Sequence, residues 1–128
     1  MIKISDLKKL GISEFVINVK VSTGELELVD DSVRVIGDYL YNEIFYRCLG
    51  NKELYSELVC CVDDFELRLY YQGIYELIYG DFKIGKRLIN KCDLETSELE
   101  NIRSIINYDG VSNVYPKYPE YLYKFVNF

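Results

Sequence analysis

Phe65-Glu66-Leu67-Arg68-Leu69-Tyr70-Tyr71-Gln72-Gly73-Ile74-Tyr75-Glu76-Leu77-Ile78-Tyr79-Gly80-Asp81-Phe82-Lys83-Ile84 is the stretch on which the fold turns. Phe65, Leu67, Leu69 and Tyr71 alternate with polar neighbours at period two, the pattern of a half-buried strand. Gln72-Gly73 and Gly80-Asp81 are turn signals. The runs Ile74 to Tyr79 and from Phe82 to Ile84 then read as returning strands. Short turns between such runs predict an antiparallel meander. The preceding stretch, Lys52 to Val62, fits either a helix (Leu54, Leu58, Cys61) or a buried strand (Leu58 to Val62), and the strand is favoured because Asp63-Asp64 makes a turn.

Outward from this centre, the other elements follow their own periods. Ser5 to Leu10 reads as a short helix, capped by Ser5 and ended by Gly11. Phe15, Ile17, Val19 and Val21 share one face at period two, Ser22-Thr23-Gly24 turns the chain, and Glu25 to Leu28 alternates again, which predicts a β-hairpin. From about 32 to 49, Val33, Ile36, Leu40, Ile44 and Cys48 recur at helical spacing. Ser97-Glu98-Leu99-Glu100 is a capping box that opens a helix from about 97 to Gly110, with Leu99, Ile102 and Ile106 as its buried stripe. The expectation is an α+β fold, an antiparallel sheet of N-terminal hairpin plus central meander packed against two main helices. The 128 residues fit a single domain, with an aromatic tail from about 111. In that tail Tyr115, Tyr118 and Tyr121 recur every third residue, the period of polyproline II.

Composition removes several chemistries. The chain has no His, so Ser-His and Cys-His catalytic pairs, His metal ligands and imidazole switches are excluded. No apolar run is long enough to span a bilayer and no signal-peptide pattern opens the chain, so a cytoplasmic protein without membrane contact is expected. Ile, Lys, Asn, Tyr, Phe and Met make up 51 residues while Gly, Ala, Arg and Pro make up 15, the bias of an AT-rich genome. Cys48, Cys60, Cys61 and Cys92 form no C-x-x-C pair and read as small buried hydrophobes. Cys92, beside Lys91 and ahead of a helix, is the candidate thiol for activation by a nearby cation.

Gly80 to Lys86 matches G-x-x-x-x-G-K, but Arg87 stands where a phosphate-binding loop carries Ser or Thr, and Asp81 inside it would repel phosphate. The paired carboxylates Asp30-Asp31, Asp63-Asp64 and Glu25/Glu27 fall at turns and on an outer strand face, where local reasons suffice. No cofactor or metal is expected.

Net charge is −6, and from Val21 to Phe82 the chain carries 13 acids against 4 bases. This disfavours direct nucleic-acid binding, which needs clustered Lys and Arg. The one basic cluster, Lys83, Lys86, Arg87 and Lys91, is followed at once by Asp93, Glu95, Glu98 and Glu100, and the two read as solvated faces that partly neutralise each other. Tyrosine is abundant, 13 in all. Tyr70 and Tyr75 lie in the acidic middle beside Asp30, Asp31, Asp63, Asp64 and Glu66. Tyr gives large contact area at low entropy cost, and complementary charge sets register. With Tyr115, Tyr118 and Tyr121, these residues are the candidate surface for a protein partner with a basic surface. The expected function is non-enzymatic: an inhibitor of a nuclease or host-defence enzyme, anti-CRISPR-like or immunity-protein-like in kind, from a phage or mobile element. A self-associating viral structural or regulatory protein, a homodimer included, is the second expectation, and a small enzyme or ligand binder using carboxylates or Cys the third.

Overall fold

The computed structural model describes residues 1–36 and 38–107. The protein is α+β, with seven helices and a three-stranded antiparallel sheet among the described residues. The chain divides after Cys61 into two compact units, taken in turn below. No helix among the described residues is long and apolar enough to cross a membrane.

The first unit runs β1 (Ile2–Lys3), α1 (Ile4–Lys9), α2 (Glu14–Ser22), β2 (Leu26–Val29), β3 (Ser32–Val35), α3 (Asp38–Arg47) and α4 (Lys52–Val59). The sheet order is β1-β3-β2, with Ile2 and Leu28 both opposite Val33. Helices α1 and α2 end in the same way. Gly11 and Gly24 sit at φ 82° and 83°, past the last helical turn, where a Cβ would be strained. Ile12 N–H then donates to Leu7 O at 3.1 Å, and Glu25 N–H to Lys20 O at 2.9 Å, so the free carbonyls of each last turn are satisfied.

The expected hairpin is therefore displaced. Residues 14–22 are helix, capped by Ser13, whose Oγ accepts from Val16 N–H at 3.3 Å. Gly24 takes the expected positive φ, but as a helix stop. The true hairpin turns at Asp30-Asp31, with Asp30 in the left-handed region at φ 55°, which Asp tolerates better than most residues. The helix expected over 32–49 starts only at Asp38. Residues 52–62, read as a strand, hold α4, whose Asn51 Oδ1 accepts from Leu54 N–H at 3.1 Å. Within the unit, Phe45 of α3 meets Tyr55 of α4 with ring centroids 4.9 Å apart.

The second unit holds α5 (Phe65–Tyr79), α6 (Phe82–Lys91) and α7 (Ser97–Asn107). The expected central meander is thus a pair of helices. Leu67, Tyr70, Tyr71, Ile74 and Leu77 are buried, at helical spacing, whereas Phe65 is 69% exposed. Asp64 caps α5, its Oδ1 accepting from Leu67 N–H at 3.0 Å. Gly73 and Gly85 are not turns. A Cβ on Gly73 would lie 2.8 Å from Ile89 Cδ1, and one on Gly85 would lie 2.8 Å from Leu77 Cγ. The two glycines let α5 and α6 approach closely at reciprocal positions. The helix expected from 97 is present to Asn107, with Leu99, Ile102 and Ile106 buried as the spacing required. Its cap is Thr96, whose Oγ1 accepts from Leu99 N–H at 3.2 Å. The aromatic tail from about 111, with Tyr115, Tyr118 and Tyr121, and Gly110 lie outside the described residues.

Candidate functional site

The residues expected to form one acidic, tyrosine-bearing surface have different fates. Asp30 and Asp31 form the exposed β2–β3 turn of the first unit. Asp63 and Asp64 are exposed at the start of the second, where Asp64 is occupied as the α5 cap. Glu66 is a latch: its Oε2 accepts from Asp93 N–H at 2.7 Å and its backbone carbonyl accepts from the Cys92 thiol at 3.3 Å. Tyr70 is 3% exposed, its ring 5.0 Å from that of Tyr71 in an edge-on arrangement. It is a core residue and offers no partner its ring. Tyr75 is half-buried, 5.6 Å from the ring of Tyr79. Tyr41 and Tyr55 are buried as well. The helical period takes most of these rings inward, because a phenol on the buried stripe fills the space between helices whatever the charge of its sequence neighbours.

The thiols and the glycine-lysine motif also resolve. Burial pushes the Cys48 thiol up to about 12, and burial pushes that of Cys92 up as well, against a weaker opposing pull from the Leu94 backbone. Neither is an activated nucleophile. Residues 82–87 do enter a helix N-terminus, as a phosphate-binding loop would. Asp81 fills it, however: its Oδ1 accepts from Lys83 N–H at 2.8 Å and Ile84 N–H at 3.4 Å. The donors that would hold a phosphate are taken by a carboxylate, and Gly85 packs on Leu77 inside the helix. Among the described residues no group of three or more acids and cysteines is placed to hold a metal ion.

A different surface emerges on α2. Only Ile17 of this helix is buried, while Phe15 is 76%, Val16 36% and Val19 43% exposed. Phe15 and Val19 are four residues apart and stand together on the face opposite Ile17. The helix is thus turned apolar side out. No sequence signal separated it from a strand, because Phe15, Ile17, Val19 and Val21 satisfy period two while the stop at Gly24 is common to both readings. Exposed Leu28 on edge strand β2 and exposed Ile36 add apolar surface in the same unit.

The connectivity around α2 is that of a helix-turn-helix followed by a β-ribbon: α1, a four-residue turn holding Gly11, α2, then β2 and β3. The side chains do not suit a phosphate backbone. Lys8 pairs with Glu14 at 3.8 Å, Lys9 with Asp6 at 3.7 Å, Lys20 with Glu25 at 3.8 Å and Arg34 with Glu27 at 3.8 Å. The cations nearest α2 are matched by carboxylates, and Asp30 and Asp31 make no ion pair among the described residues.

In the second unit α6 carries the opposite sign. Lys83, Arg87 and Lys91 are exposed and Lys86 is half-buried, while Gly85 and Ile89 on the other side are buried. None of the four cations makes an ion pair among the described residues. No protein-family model, curated protein or solved structure matches the chain.

Proposed function

We propose that the chain is a small acidic binding protein that acts by covering a basic surface of a protein partner, in the manner of an inhibitor of a nuclease or host-defence enzyme. The observation that carries this reading is the outward apolar face of α2. Phe15 at 76% exposure, with Val19 beside it, has no packing role in the unit that bears it. An exposed apolar cluster on a helix whose inner side already holds the fold marks a contact surface. Asp30 and Asp31 of the same unit, which make no ion pair among the described residues, supply charge that steers encounter with cations and fixes orientation. Affinity then comes from the apolar side chains and specificity from the acids. No bond is made or broken in this reading.

The test is a quantitative binding titration of the full chain with the partner captured from its host. The double variant Phe15→Ser/Val19→Ser is expected to weaken binding by about tenfold or more, since apolar anchors dominate such interfaces. Asp30→Asn/Asp31→Asn is expected to slow association and to blunt its dependence on salt. Unchanged affinity in the apolar double variant, with its circular dichroism intact, overturns the reading.

A further inference from the structure

We propose that the outer face of α6, formed by Lys83, Lys86, Arg87 and Lys91, is a binding surface for the phosphate backbone of nucleic acid. The proposal goes beyond the protein-binding reading and rests on a different unit of the chain.

The geometry begins with spacing. Positions 83, 86, 87 and 91 fall within one side of a helical wheel, so the four cations form a stripe about 12 Å long at ~1.5 Å rise per residue. The opposite side is consumed by packing: Gly85 sits against Leu77 of α5, and Ile89 against Gly73. The helix is therefore held with its basic side outward and has no freedom to roll it away.

Among the described residues none of the four cations forms an ion pair with the acids near it in sequence. Asp81 spends its carboxylate on the N–H groups of Lys83 and Ile84. Glu76 accepts from Asp81 N–H and from the Gln72 side chain. Glu66 holds Asp93 N–H, and Glu100 pairs with Arg103 at 2.8 Å. Arg103 in turn donates to the carbonyls of Ile89 and Cys92, the open C-terminal end of α6. The contacts of Asp81, Glu76, Glu66 and Glu100 are thus with caps, a latch and an arginine, not with the four cations. Asp93 and Glu95 follow the end of the helix and make no ion pair with the four cations among the described residues.

Three polyanions could meet such a stripe, and the surface favours one. A membrane-bound basic helix inserts its apolar side among the lipids, but the apolar side of α6 is already spent on α5. A protein interface places apolar and aromatic groups at its centre and charges at its rim, whereas here the cations are the centre and Ile84, at 41% exposure, is the flanking apolar group. Nucleic-acid interfaces are polar and strongly positive, and helix-borne Lys and Arg meet phosphates without needing an apolar core.

The net charge of −6 sharpens the test, because the chain as a whole is repelled by a polyanion and only a local cluster can hold one. The experiment is fluorescence anisotropy of a labelled 20-base-pair duplex and a labelled 20-nucleotide single strand against the full chain, across a salt series. At least one probe is expected to bind at low salt, with log affinity falling linearly against log salt at a slope of about −2 to −4, one increment per phosphate neutralised. Lys86→Glu/Arg87→Glu is expected to abolish binding, while Lys8→Glu/Lys9→Glu, in the other unit, leaves it within about twofold. Circular dichroism checks that each variant is folded, and Lys86→Gln/Arg87→Gln, a milder change on the same face, is expected to weaken binding at least fivefold. Absence of binding to both probes at low salt overturns the proposal. So does binding that survives the charge reversal, or tighter association with phosphatidylserine vesicles or polyglutamate than with either nucleic acid. Loss of the α6 function by these variants with partner binding retained would separate this surface from that of α2.

Discussion

Two glycines and two thiols carry the sharpest residue-scale consequences. A Cβ at Gly85 would meet the Leu77 backbone nitrogen at 2.9 Å, and backbone cannot step aside. A Cβ at Gly73 would press on the Ile89 side chain, whose tip can shift, with the Ile89 nitrogen farther off at 3.4 Å. Alanine gains about 1 kcal/mol of helix propensity at either site, against an overpacking cost of about 1–3 kcal/mol. Gly85→Ala is therefore expected to destabilise by about 1–2 kcal/mol and Gly73→Ala by less, which urea unfolding of the two variants ranks. The thiols give a pH dependence. Cys48 has its pKa raised from 9.0 to about 12, so the folded chain keeps a proton that the unfolded chain releases. Stability from this group is full below pH 9 and is lost between pH 9 and 12, by up to about 1.4 kcal/mol per pH unit. The Cys48→Ala variant is expected to show a shallower alkaline decline. In native labelling with iodoacetamide at pH 8, exposed Cys60 is expected to react while buried Cys48 and Cys92 wait for denaturant.

At the scale of elements, helix stops were more readable than N-caps or periods: α1 starts after Lys3 with no side-chain cap where Ser5 was expected, and Thr96 caps α7 in place of Ser97. Gly11 as a helix stop, and the run Leu99, Ile102, Ile106 as a buried stripe, stand in the sequence because one residue type or one spacing admits a single local geometry. The stretch 65–84 does not have that property. Phe65, Leu67, Leu69 and Tyr71 fit period two, while Leu67, Tyr70, Tyr71, Ile74 and Leu77 fit the helix, and aromatic residues lean toward strands in isolation. What decides is tertiary: Gly73 and Gly85, which look like turn residues, are the contact points of two helices. Val33 misled in the other direction: it recurs with Leu40 and Ile44 at helical spacing but lies in strand β3, just after the Asp30-Asp31 hairpin turn. The candidate site was still less legible. Burial of Tyr70 and capture of Glu66 by Asp93 follow from the helical register that was missed. Capping itself is testable. Asp64→Ala removes the acceptor of Leu67 N–H and is expected to cost about 1 kcal/mol, read from the thermal midpoint with Asp64→Asn, which keeps an acceptor oxygen, as the comparison.

For the whole molecule, charge and exposed apolar surface are distributed differently between the two units. The first pairs most of its cations with carboxylates and turns Phe15 and Val19 outward. Among the described residues the second buries Tyr70 and Tyr71 in a helical core and shows four cations on α6 that make no ion pair. A net charge of −6 summarises neither. The tyrosine-rich composition pointed to an interface, but most of the described rings in the acidic middle serve packing, and exposed apolar side chains stand instead on a helix that the alternating pattern had assigned to a strand. Hydrogen–deuterium exchange of the full chain, free and saturated with its captured protein partner, measures where that contact lies. Slowed exchange is expected over residues 14–22 and the 30–31 turn, with α5 unchanged. Slowed exchange confined to other segments, with 14–22 exchanging as in the free chain, would contradict it.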